Sequence, residues 1–166
     1  MTLDELVVGD AVFVDANIFT YHFQPHPILG PACTRLLQRI ENREIDGYTT
    51  IPVLGEVCHR LMTMEAHHSL GWPFAGIGNR LRTNPIDVQK LTVFRLATEK
   101  VLQGRVVVLP VLPTTLAAAV VQCHQLGLLT NDGLILATMQ AQGLTKLASH
   151  DADFDRVPGI THYALA

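Results

Sequence analysis

Short, continuously apolar runs alternate along the chain with longer stretches whose apolar residues recur every three or four positions. Ala11-Val12-Phe13-Val14 is the first such run, and its β-branched, unalternating character is that of a strand buried on both faces. Leu29, Cys33, Leu36, Leu37 and Ile40 then fall at helical spacing, with Arg35, Arg39 and Arg43 on the polar side. Residues 47–51 predict a second strand, and Pro52 suits the first turn of a helix whose inward face is Leu54, Val57, Cys58 and Leu61. Periodicity weakens around Gly71-Trp72-Pro73, Gly76 and Gly78, so residues 66–84 predict an irregular or partly helical insertion. Asn84-Pro85 is a cap and first-turn pair for one helix reaching about residue 103.

Residues 105–109 form a third apolar run, closed by Pro110. Pro113 opens an Ala/Val-rich helix to about residue 126, and residues 131–142 predict another, ended by Gly143. Residues 145–149 predict a fourth strand and residues 160–164 a candidate fifth. Doubly buried strands separated by helices imply an α/β fold, a parallel sheet between helical layers. Without repeats, low-complexity tracts or a linker, residues 1–166 predict one domain with a core over about 11–160.

Composition narrows this picture. Of 166 residues 48% are apolar and 16% charged, which excludes a disordered chain or a solvated coiled coil. Twelve Lys and Arg against fifteen Asp and Glu leave −3, so the chain lacks the strongly basic footprint of a non-specific nucleic-acid binder. Cys33, Cys58 and Cys123 are odd in number and widely spaced, which fits free thiols in a reducing cytoplasm. The start, MTLDELVVGD, has no signal-peptide pattern, and no run approaches the roughly 18 apolar residues of a membrane span.

With charge scarce, the placement of the acids becomes informative. Asp4, Glu5, Asp10, Glu41, Glu44, Asp46, Glu65, Asp87 and Glu99 stand in polar surroundings. Four others do not: Asp15 ends the first buried strand, Glu56 lies within TTIPVLGEVCHRLM, Asp132 sits between LGLLTN and LILA, and Asp151 follows the fourth strand. Each has a purely structural alternative. Asp15, Asn17 and Asp132 suit helix caps, Glu56 can pair with Arg60 at i+4, and Asp151 can be a loop acid. Jointly they point elsewhere, because ligands of an open α/β sheet bind beyond the carboxyl ends of its strands. Asp15 and Asp151 are at such ends, and Glu56 and Asp132 are expected in first turns leaving the same edge. Four carboxylates there repel one another unless a cation neutralises them, and an all-oxygen set selects a hard divalent ion such as Mg²⁺ or Mn²⁺.

Four blocks in order, VFVDANIF, TTIPVLGEVCHRLM, LLTNDGLILATMQAQG and KLASHDADFDRVPGI, resemble those of the PIN-domain ribonucleases, in particular the VapC-like toxins of toxin–antitoxin modules. The resemblance implies a three-layer α/β/α sandwich with a five-stranded parallel sheet. It implies a catalytic and metal-binding quartet of Asp15, Glu56, Asp132 and Asp151. Asn17 and Ser149 would orient those carboxylates, and Asp153 is either an auxiliary ligand or a loop acid. It further implies Mg²⁺- or Mn²⁺-dependent cleavage of RNA, with Glu56 positioning or deprotonating the attacking water and products ending in 5′-phosphate and 3′-hydroxyl. A homodimer and a small antitoxin partner are implied too.

RNA needs a cationic path; Arg35, Arg39 and Arg43, and Arg80 with Arg82, are the candidates beside a simple solvated-face reading. Trp72 either stacks on a base or closes the insertion onto the core. The Ser149-His150 pair and the length of residues 66–82 depart from the family pattern. The rivals are a PIN-fold scaffold without activity and a haloacid-dehalogenase-type phosphatase. The latter wants an acid where Asn17 stands, and, like a response-regulator receiver, a distal Lys at a strand end that this chain lacks.

Overall fold

A computed structural model of the protein describes residues 1–165. Five parallel strands form one sheet: β1 (Ala11–Val14), β2 (Asp46–Thr50), β3 (Val107–Leu109), β4 (Lys146–Ala148) and β5 (Thr161–Tyr163), in the order β3-β2-β1-β4-β5. Helices α1 (Ala16–Phe23) and α2 (Gly30–Glu41) join β1 to β2; α3 (Ile51–Leu70), α4 (Ile77–Thr83), α5 (Pro85–Val88) and α6 (Val93–Gln103) join β2 to β3. Helices α7 (Pro113–Leu126) and α8 (Thr130–Ala141) lead to β4, and a 3-10 turn, Ala152–Arg156, leads to β5. The order steps one way from β1 to β3 and then reverses. Right-handed crossovers therefore place α7 and α8 on the sheet face opposite α1–α6. The reversal also makes the gap beyond the carboxyl ends of β1 and β4 the switch point of the sheet.

Val12, Phe13, Val14, Leu147 and Ala148 are fully buried, as their unalternating patterns require. Packed on them are Ile18 and Phe19 of α1, Leu36 and Ile40 of α2, Leu61 of α3 and Met139 of α8. Helix α8 buries Gly133, Ile135, Leu136, Ala137, Thr138 and Met139, covering most of its circumference. It also lies very close to α7: a Cβ on Gly133 would stand 2.3 Å from Cys123 Sγ and 2.9 Å from the Ala119 carbonyl oxygen. Among the described residues no helix is long and apolar enough to cross a membrane.

Several elements differ from the sequence reading. Helix α1 had no visible stripe because its first five residues, Ala16 to Thr20, are all buried. Helix α3 continues to Leu70, where Gly71 ends it in the left-handed conformation (φ 67°). Within the stretch that follows, α4 forms and buries Ile77 and Leu81 in a second, smaller core with Ala66 and Leu91. Trp72 packs against that core. The single helix expected from Asn84 is two, α5 and α6, separated at residues 89–92. Glu65 stands at the break. It is buried rather than solvated, and its carboxylate accepts hydrogen bonds from the backbone N–H of Thr92 (3.0 Å to each oxygen) and of Val93 (2.9 Å). Those N–H groups open α6, so a side chain from another helix caps it.

Replacing Glu65 with Gln halves the acceptor capacity offered to these N–H groups and removes the negative charge at the helix start. The expected loss is about 1–3 kcal/mol of unfolding free energy, measured by urea denaturation.

Candidate metal centre

The site is assembled where β1 and β4 end. Asp15 N donates to the Ala148 carbonyl oxygen (3.0 Å), extending the β1–β4 ladder by one residue, and Ser149 N donates to the Tyr163 carbonyl (3.2 Å). Asp15 and Ser149 thus stand side by side at the sheet edge, and both are buried. Ser149 Oγ donates to Asp15 Oδ2 (2.7 Å) and accepts from Asn17 Nδ2 (3.2 Å) and Asp151 N (3.0 Å). Asn17 Nδ2 also donates to Asp15 Oδ2 (2.7 Å), while Asn17 Oδ1 accepts from His150 N (3.0 Å). Asp15 Oδ1 accepts from Ala16 N (2.6 Å) as the cap of α1. Burial drives the Asp15 carboxyl above its ordinary range, Ser149 and Ala16 oppose the shift as donors, and Glu56 adds repulsion.

Asp132 lies in the first turn of α8, and Asp151 and Asp153 on the turn after β4. One carboxylate oxygen from each of these three acids lies within 4.8 Å of the others, a spacing that suits a shared cation. Asp151 Oδ1 accepts from Asp153 N (2.9 Å), capping its 3-10 turn. Arg156 fixes that turn from outside, reaching Asp153 Oδ1 (3.1 Å) and the carbonyl oxygens of Leu126 (3.0 Å) and Gly127 (3.1 Å) at the end of α7. Burial, and next the charge of Asp151, push the Asp132 carboxyl up to about 6, with Asp15 and Asp153 adding to the repulsion.

Glu56 stands in the second turn of α3, one turn later than its sequence context suggests, and faces the site from the side. Its Oε1 pairs with Arg60 (2.6 Å) at the i+4 spacing, and its Oε2 accepts from Asn131 Nδ2 (3.0 Å). Of the expected quartet with Asp153, the structure gathers Asp132, Asp151 and Asp153 most closely. Asp15 lies behind them on its donors, and Glu56 is engaged by Arg60. The structural alternative holds for Asp15, which caps α1, while Asp151 caps the 3-10 turn and stands with Asp132 and Asp153.

The two basic sets fare differently. Arg35 is paired with Asp4 (2.8 Å), and Arg39 with Glu44 (3.2 Å) and the Leu6 carbonyl (2.9 Å). Arg43 lies past the end of α2 with a positive φ of 62°, off the face expected for it. Arg80 and Arg82 are exposed on α4. His162 and Arg156 had no sequence signal, because only the fold brings them near the site. His162 on β5 is buried; its Nε2 donates to the Ser149 carbonyl (3.0 Å) and its Nδ1 lies 2.7 Å from Asp155 Oδ1. It so ties the turn bearing Asp151 and Asp153 to the strand end bearing Ser149. A cavity of about 290 Å³ among Phe19, Phe23, Leu37, Val101 and Val106 lies between α1, α2 and α6, away from the acids.

The raised Asp132 carboxyl gives stability a sign. Between its ordinary value of 3.8 and about 6 the unfolded chain loses the proton first, so the folded state loses stability as pH rises through that window. Asp132→Asn is expected to raise the thermal midpoint above about pH 6 and to leave it unchanged below about pH 4, measured by melts across that range. For His162→Ala, the expectation is a fall in midpoint from loss of both hydrogen bonds, partly restored by His162→Gln.

Among curated proteins the chain has no significant match. Solved structures share its fold at low identity. A VapBC2 complex of Rickettsia felis bound to a promoter DNA fragment matches at TM-score 0.57 and 14% identity, over 94% of this chain and 99% of that one. VapC20 of Mycobacterium tuberculosis, a toxin that cleaves the sarcin-ricin loop, matches at 0.60 and 18%, over 87% and 92%. A toxin–antitoxin complex from Klebsiella pneumoniae matches at 0.52 and 17%, over 90% and 95%. The PIN-domain family model matches residues 12–160. With a parallel sheet whose switch point carries the acids, and a family match spanning nearly the whole chain, the protein belongs to the PIN-domain family.

Proposed function

We propose that the protein is a metal-dependent endoribonuclease of the cytoplasm and the toxin of a toxin–antitoxin pair. The observation that carries the reading is the close set of Asp132, Asp151 and Asp153 oxygens at the sheet's switch point, with Asp15 behind it. This donor set is all oxygen, compact and mutually repelling, so it fits Mg²⁺ or Mn²⁺. Such an ion supplies Lewis-acid polarisation of a phosphate and activation of water.

The chain's own residues supply the rest. Asp132, Asp151 and Asp153 present the oxygens, and the Ser149–Asn17 network holds Asp15 so that its charge faces the same space. Glu56, steadied by Asn131, is the acceptor for the proton of the attacking water. The likeness to toxin–antitoxin complexes supports a small protein partner, and the exposed Leu112, Leu116 and Val120 at the start of α7 offer a surface for a second copy of the chain. An inactive scaffold gains nothing from acids held against their own repulsion, and that disfavours the scaffold reading.

Purified protein should cut single-stranded RNA when Mn²⁺ is added and stop when it is chelated. Asp15→Asn and Asp132→Asn should abolish cleavage with the fold retained by circular dichroism. Glu56→Gln should lower kcat by roughly 10²–10⁴-fold. Undiminished Mn²⁺-dependent cleavage by Asp132→Asn would overturn the assignment. Mn²⁺ should also raise the thermal midpoint of the natural protein and not that of Asp132→Asn.

A further inference from the structure

Between Glu65 and Asp87 the chain has no acidic residue, although the whole protein carries −3. The same stretch supplies His67, His68, Arg80 and Arg82. Helix α4 turns Ile77 and Leu81 into the second core and leaves Arg80 and Arg82 exposed. Among the described residues neither arginine has a carboxylate partner, and Arg82 bonds only the neutral Asn79 Oδ1 (2.9 Å). Arg35, Arg39, Arg60 and Arg156, by contrast, are all paired with acids.

An aromatic platform stands just ahead of the helix that carries these cations, where Ile77 N donates to the Phe74 carbonyl oxygen (3.2 Å). The rings of Phe74 and His67 are stacked, with centroids 4.0 Å apart and planes 25° from parallel, and Phe74 remains 56% exposed. His67 is held in place by its Nδ1 against the Trp72 carbonyl oxygen (2.6 Å). The stack is aligned with the acid site through α3, because Glu56, Arg60, Thr63 and His67 recur at i, i+4, i+7 and i+11 on one helix face. At roughly 1.5 Å per residue the platform lies about 16 Å along that face from Glu56. His59, on the same helix, faces the start of α4: its Cε1 would lie 4.0 Å from a Cβ at Gly78.

Unpaired cations beside an exposed, rigid aromatic face are the means by which proteins hold single-stranded nucleic acid, where bases are free to stack and phosphates to be neutralised. We propose that residues 71–84, with His67, form a docking arm for a single-stranded segment of RNA. One base stacks on Phe74 and the phosphates lie along Arg80 and Arg82, while the strand continues along α3 past Arg60 to the acid cluster. The proposal rests on the ribonuclease reading for the identity of the strand, and the arm itself on the charge and stacking pattern.

The test is fluorescence anisotropy with a short fluorescein-labelled single-stranded RNA, on an Asp132→Asn background in Mg²⁺ so that the strand stays intact. Arg80→Ala with Arg82→Ala should reduce the slope of log affinity against log salt by about 1.4, two phosphate contacts at roughly 0.7 each. Phe74→Leu should weaken binding roughly tenfold with the slope unchanged, and Phe74→Trp should restore it, which a purely structural role for Phe74 would not do. Affinity and slope equal to the parent in all three variants would overturn the arm, and so would an acidic peptide that competes fully with the RNA. Cleavage kinetics on the natural background separate the two readings. Cutting with KM unchanged in the arm variants overturns the arm and leaves the ribonuclease standing. Arm-dependent binding by a protein that cuts nothing supports the arm and removes the ribonuclease.

Discussion

Ser149 Oγ serves three neighbours at once, donating to Asp15 and accepting from Asn17 and from the Asp151 backbone. A hydroxyl has one hydrogen and two lone pairs, so this one is used to capacity. It is wholly buried, and the geometry of both strand ends follows from it. Asp15 is fixed because its Oδ2 is held by two donors, and the turn to Asp153 is fixed because its first N–H is taken. The acids can then be brought close to one another against their repulsion. Without that polar lock, like charges at a sheet edge would separate by rotating into water, where each carboxylate is better solvated.

The rest of the molecule supports this edge from two sides. Helix α8 is buried through its middle, from Gly133 to Met139 except Leu134, and contacts α7 through Gly133, so Asp132 projects from a helix with little freedom to shift. Arg156 closes the other side by joining the turn of Asp153 to the carbonyls that end α7. The arginine neutralises part of the cluster's charge and uses backbone acceptors that the helix end leaves unsatisfied.

What the sequence disclosed follows from where side chains meet water. Strand β1 is legible because burial on both faces demands an unbroken apolar run, and an Asp directly after such a run is conspicuous; β4 shows the same only in Leu147 and Ala148, ahead of Ser149. Asp132 is legible for the same reason, between two apolar segments. Helix α1 is not, since burial of Ala16 to Thr20 erases the alternation that marks a helix. Glu65 looks like any solvated glutamate until α6 is brought to it, and the break between α5 and α6 was hidden with it. The engagement of Arg35 and Arg39 and the reach of His162 to Ser149 depend on contacts between residues far apart in the chain, which no local pattern encodes.

The central position of β1 has a consequence for the order of events during synthesis. β1 pairs with β2 early in the chain, but its other edge stays open until β4 is made, because Asp15 and Ser149 are separated by 134 positions. A chain emerging from the ribosome thus carries β1 and Asp15, with its near donors Ala16 and Asn17, long before Ser149 exists to complete the set. Asp132, Asp151 and the polar lock are all contributed by the last part to appear. The acid cluster is consequently a property of the finished polypeptide alone, and a truncated product, however well its first helices fold, lacks it.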